Sequence, residues 1–289
     1  MARRTRIPGP LSSTQTLGNT SSRVPPGVSK WRSIDVTDGS WTLYDPQSTL
    51  VSVSTSSSGM RIQMDKDETN RRWNDGTQNT HRWYQKLRSP DGRLLTWNDF
   101  FSVDLLVKFV SNHTSNSDGT SGSCDHHGCM VGIGDAGVTD TQTNVQWVGG
   151  GLIMATDDDN SLTMLVGGDT NRQQEYDHES VAGLFHVSAP ISDETDTGDP
   201  STWFVYGYTL NSSNNVTKND GNADARFANK QIHEYDGTED VYLFFAGNFG
   251  STTTNDVIVN PDATWKVWYR VNFTRDGLNP TYIPGGGLS

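Results

Sequence analysis

The chain has 289 residues, 33% of them hydrophobic, with 28 aromatic residues, 29 Gly and 28 Asp, but only 6 Glu and 10 Ala. So few strong helix formers beside so many turn formers exclude an all-α protein and argue against a repeating βα plan; no apolar run approaches the ~18 residues of a membrane-spanning helix. The net charge of −12 is uneven: residues 1–30 hold five bases and no acid, leaving 17 bases against 34 acids in the rest, a balance of sign that speaks against nucleic acid as a partner.

Residues 1–30 read as an extended basic N-terminal arm. Pro8, Pro10, Pro25 and Pro26 bracket Ser, Thr, Asn and Gly, and such a stretch buries too little to offset its own ordering entropy. Two readings stay open: a disordered tail, or an arm that orders on another subunit. In the second, Arg3, Arg4 and Arg6 contact partner carboxylates while Ile7, Leu11 and Leu17 are buried. Arg3, Arg4 and Arg6 lead into Ile-Pro-Gly-Pro with no apolar stretch of seven or more, so no secretory signal is expected. Two cysteines in 289 residues make no disulfide framework.

The body is expected over residues 31–275. Short apolar runs separated by clusters of turn residues predict strands at 49–54, 59–64, 81–87, 129–134, 150–155, 161–166, 182–187, 202–210 and 240–247. Two runs stand out. Phe101, Val103, Leu105, Val107 and Phe109 form one face of a strand, with Ser102, Asp104 and Lys108 on the other. Near the end, Trp265, Val267, Tyr269, Val271 and Phe273 share a face opposite Lys266 and Arg270. All five of that final set are expected to be buried, Phe273 included. Ten or more antiparallel strands without intervening helices give a two-sheet all-β sandwich. The stretches 111–128 and 188–201 lack apolar pattern and read as long loops. Residues 276–289 form a Gly/Pro-rich C-terminal tail.

Four segments carry a family likeness: Trp41-Thr-Leu-Tyr-Asp-Pro46, Asn98 to Phe109, Met130-Val-Gly-Ile-Gly134 and Trp265 to Phe273. The body resembles concanavalin A-like jelly-roll β-sandwiches. More narrowly, its style is similar to that of jelly-roll structural proteins of marine tailed bacteriophages, over about residues 31–275. That resemblance implies a non-enzymatic virion component, assembled in the host cytoplasm. It would serve as a capsid decoration, cement, tail or fibre-attachment subunit, with other virion proteins and its own copies as partners. The alternative on the same fold is a carbohydrate-binding or glycan-cleaving receptor protein that meets a host surface glycan.

Three clusters hold candidate chemistry. Glu175-Tyr-Asp177-His-Glu179 matches the E-x-D-x-E pattern of jelly-roll β-glucanases. By that resemblance Glu175 would be the nucleophile, Asp177 its helper and Glu179 the acid/base. Its polar flanks, 169–174 and Ser180, read instead as an exposed loop in an acidic protein. Cys124, His126, His127 and Cys129 could supply zinc ligands, completed by His113 or His186. A local disulfide between the two cysteines, or a reduced loop with no role, are the other readings. Asp157-Asp158-Asp159-Asn160 could offer calcium oxygens, but a polar hairpin tip explains it more simply, and no cofactor is expected overall. Finally, Trp73, Trp83 and Trp97 lie near Arg71, Arg72, Arg82 and Arg93 in sequence, and Trp268 sits on the polar face of the last strand. Aromatic and Arg groups of this kind anchor interfaces when they are exposed.

Overall fold

A computed structural model of the chain describes residues 30–45, 48, 50–64, 81–113, 126–139, 147–155, 161–167, 172–177, 182–188, 203–210, 216–219, 238–249 and 262–273. Fifteen strands run through them: β1 (Arg32–Ser33), β2 (Thr42–Tyr44), β3 (Leu50–Ser56), β4 (Gly59–Met64), β5 (Arg82–Lys86), β6 (Ser102–Asn112), β7 (His126–Gly134), β8 (Trp147–Ala155), β9 (Ser161–Gly167), β10 (Arg172–Asp177), β11 (Ala182–Ser188), β12 (Phe204–Leu210), β13 (Val216–Asn219), β14 (Tyr242–Phe249) and β15 (Asp262–Asn272). One short 3-10 turn, Ala136–Thr139, follows β7. The strands form two antiparallel sheets. The first has the order β13-β12-β11-β6-β15-β4-β3, with β1 also paired to β15, and the second the order β10-β9-β8-β7-β14-β5-β2. The central neighbours of the first sheet, β11-β6, β6-β15 and β15-β4, lie far apart in sequence, so the chain crosses between layers. The result is the expected all-β jelly-roll sandwich.

The core lies between the layers. Val103, Leu105 and Val107 of β6 and Val267, Tyr269 and Val271 of β15 meet Cys129, Val131 and Ile133 of β7 and Leu243 and Phe245 of β14. The ring of Trp83 stacks on Phe245 at 5.7 Å, and Trp203 packs edge-on against Trp97 at 5.4 Å. Trp83 and Trp97 are thus core residues rather than interface anchors; Trp73, Arg71 and Arg72 lie outside the described residues. Gly150 leaves room for a ring of the facing layer: a Cβ there would sit 2.1 Å from the Phe185 ring. At the β3–β4 turn, Gly59 adopts φ +125°, and a Cβ there would lie 2.6 Å from the Trp265 carbonyl oxygen, so only glycine fits.

Three expectations need correction here. Phe273 is 45% exposed, because the register with β6 ends one residue earlier, at Asn272 opposite Ser102. Phe273→Ala is therefore expected to cost less than about 1 kcal/mol in urea unfolding, as for an exposed site. Secondly, the polar faces of β6 and β15 are covered over part of their length: Ser102, Asp104, Arg270 and Trp268 are buried, while Lys108 and Lys266 are half-buried. Alternation tells which side of a strand is apolar, but polar side chains can also be covered when they are paired. Thirdly, residues 172–177 and 126–128 belong to strands, β10 and β7, rather than to loops.

Candidate functional site

The most concentrated polar chemistry among the described residues lies on the outward face of the first sheet. His186 of β11 is directly opposite Asp104 of β6, which in turn is directly opposite Arg270 of β15. Residues paired in this way across antiparallel strands project to the same face with Cβ atoms about 5 Å apart, so register alone gathers the three. His186 donates from Nδ1 to Asp104 Oδ1 at 2.5 Å, Arg270 from Nε to Oδ2 at 2.5 Å, and Asn272 from Nδ2 to Oδ2 at 2.9 Å. An ionised carboxylate only accepts, so the His186 proton facing it sits on Nδ1.

The electrostatics follow. Burial by itself would raise the Asp104 carboxyl, but the hydrogen bond and charge of His186 and the charge of Arg270 outweigh it. The carboxyl is held below the usual range. The guanidinium of Arg270 lies 4.7 Å from the centre of the Trp31 ring, a cation–π contact that covers the row from the side of β1. The next row along the strands is apolar: Leu184, Leu106 and Trp268 pack with Leu210 and Ala182 under Trp31. Asp104, His186 and Arg270 are each no more than 2% exposed. With both Asp104 oxygens paired, the enclosed row cross-links three central strands.

A second site opens at the edge of β15. Lys30, Arg32 and Arg88 line a cleft of about 430 Å³, walled by Trp31, Tyr269 and Pro90. A tight turn positions one side of it: Gly92, at φ +92°, donates its N–H to the Ser89 carbonyl at 2.9 Å, and Arg88 Nη1 donates to the Gly92 carbonyl at 2.8 Å. Arg32 Nη2 reaches the Pro90 carbonyl at 3.5 Å. None of the residues lining the cleft is acidic.

The residues singled out from sequence are placed as follows. Glu175 and Asp177 fall on β10, an edge strand of the second sheet among the described residues, opposite Thr163 and Ser161; Glu179 lies outside the described residues. His126 and His127 pair with Ala155 and Met154 on β8. Cys129 carries a free thiol inside the core, pushed well above its ordinary pKa by burial, and Cys124 is outside the described residues. His113 and His186 are engaged elsewhere: His113 Nε2 lies 2.7 Å from Thr264 Oγ1, and His186 holds Asp104. Arg82 is buried, donates to the Val138 carbonyl and covers the Tyr44 ring at 4.3 Å, while Arg93 pairs with Asp99 at 2.9 Å. Residues 157–160 and the arm residues Arg3, Arg4, Arg6, Ile7, Leu11 and Leu17 lie outside the described residues.

Asp104, His186, Arg270 and Asn272 were not candidates as a group on sequence grounds. The available signal was a charged residue near one end of each of two long strands and a histidine inside the apolar β11 run.

The strand order and register define the class, a two-sheet antiparallel jelly roll. No protein-family profile and no curated protein sequence matches the chain. Among solved structures, the chain is similar to a marine PL-14 alginate lyase from Aplysia kurodai, with 13% identity, a TM-score of 0.42, and coverage of 79% of this chain and 89% of that one. It is similar to an immunostimulatory antigen and pseudo β-1,3-glucanase of Mycobacterium tuberculosis, with 11% identity, a TM-score of 0.42, and coverage of 85% and 98%. It is also similar to an alginate lyase from Pseudomonas aeruginosa, with 10% identity, a TM-score of 0.37, and coverage of 74% and 82%.

Proposed function

We propose that the chain is a non-enzymatic structural subunit of a tailed-bacteriophage particle, assembled in the host cytoplasm and held to its neighbours by its N-terminal arm. The observation that carries this reading is the anchorage of the arm's root. Arg32 and Ser33 pair with Tyr269 and Trp268 of β15, and the Ile34 N–H donates to the Val267 carbonyl at 2.8 Å. Beside them Trp31 stacks on Arg270. Tension on a docked arm would pass into the two central strands of the first sheet rather than into a loose linker.

Deleting residues 2–28 tests the role of the arm. The truncated body, which keeps its anchored root, is expected to stay folded and soluble but to be lost from purified particles. Incorporation at full occupancy in high salt would remove the arm from the account.

The second reading, a carbohydrate-binding receptor protein on the same fold, draws on the aromatic walls of the cleft at Trp31 and Tyr269. A glycan array with the whole chain separates it from pure assembly.

A further inference from the structure

We propose that the cleft between β1, β15 and the 88–93 turn is a carboxylate-binding seat for the acidic surface of a second copy of this chain. The inference rests on the assembly reading and names the partner chemistry at the arm's root. The first 34 residues hold six bases, Arg3, Arg4, Arg6, Arg23, Lys30 and Arg32, before the first acid, Asp35. The basic tract therefore runs off the arm and onto the folded body. There the chain's path sets Lys30 and Arg32 beside Arg88, a residue brought from another part of the sequence. Three cations that share a cleft repel one another, and none of them forms an ion pair among the described residues, where Arg61, Lys86 and Arg93 all do. A ligand with negative charge relieves that repulsion.

The seat is also stiffened in advance. The Trp31 ring is held by Arg270, Tyr269 is fixed in β15, and both Arg32 and Arg88 lean on backbone carbonyls of one tight turn. Guanidinium groups held in place lose less freedom on binding a carboxylate, and their forked donors suit it. The source of carboxylates is on hand. Residues 31–289 carry 34 acids against 17 bases, so a positive cleft on one copy faces a mostly negative surface on the next. A cleft on one side of a molecule that meets a different surface of its neighbour makes a head-to-tail contact, which builds rings or rows rather than isolated pairs.

Sedimentation velocity of the full chain at about 50 mM and about 500 mM salt tests the proposal. Wild type is expected to self-associate at low salt and to dissociate at high salt. Arg32→Glu/Arg88→Glu, both at exposed positions, is expected to weaken association about tenfold or more with an unchanged circular dichroism spectrum. The protein lacking residues 2–28 keeps the cleft and is expected still to associate, so this result is independent of the arm's role in particles. A monomeric wild type at both salts overturns the proposal, as does unchanged association of the double variant. A wild type that stays monomeric but binds a uronate oligosaccharide, with the double variant losing that binding, would reassign the cleft to an acidic sugar.

Discussion

Asp104→Asn is expected to lower the unfolding free energy by about 3–5 kcal/mol, the usual cost of breaking a buried ion pair from one side. The Asp104 carboxylate is fully buried and receives three donors, one of them the Arg270 guanidinium. Asn in its place leaves that guanidinium charged and enclosed, and turns one acceptor oxygen into an amino group that faces one of the three donors. Denaturant unfolding by tryptophan fluorescence measures the loss. The double variant Asp104→Leu/Arg270→Met is expected to be less damaged than the single one, because it removes both charges together. If Asp104→Asn costs under about 1 kcal/mol, the row is wetter and looser than its burial indicates.

The same row sets a pH dependence. The Asp104 carboxyl is held low in the folded protein by His186 and Arg270 against the opposing effect of burial. A depressed carboxyl contributes stability that is present above the unfolded pKa, about 3.9, and is lost as pH falls through the folded value. Thermal midpoints should therefore drop on acidification below about pH 4, and the drop should be shallower in Asp104→Asn.

Trp265→Ala is expected to cost about 3–5 kcal/mol, as for other deleted core rings. The side chain is fully buried and meets Phe109 edge-on at 5.2 Å. Trp265 is also the residue at which β15 pairs with Met60 of β4 on one side and Phe109 of β6 on the other, next to a register shift. Its loss opens a cavity at a junction of three strands, which cannot collapse without moving all of them. Trp265→Phe should recover more than half of the loss. Calorimetry on the two variants checks both statements.

The sandwich was legible because its central strands alternate cleanly. Phe101 to Phe109 and Trp265 to Val271 announce a buried face, and β6 and β15 follow within a few residues of the expected bounds. Strands without such a pattern escaped notice. β10 reads Arg-Gln-Gln-Glu-Tyr-Asp, and β1 is two residues long; both are strands through pairing with a neighbour, which composition does not report. The polar row was hidden for a related reason. Asp104 and Arg270 are 166 positions apart, and each alone looks like a solvent-facing charge on a half-buried strand. Only the register, which places His186, Asp104 and Arg270 in line, turns three ordinary polar residues into one buried network. The cleft was half legible: the basic tract was visible through Lys30, but the arrival of Arg88 depends on the turn at 88–93. Phe273 shows the converse error, since a pattern can run on past the last rung of its ladder.

Quantitative mass spectrometry of gradient-purified phage particles tests whether the chain is a structural subunit of the virion. A subunit is expected at a fixed, symmetry-related copy number per particle, with the copies of an arm-deleted variant reduced to background. Absence from intact particles, or recovery only at trace and variable amounts, would rule out a structural role.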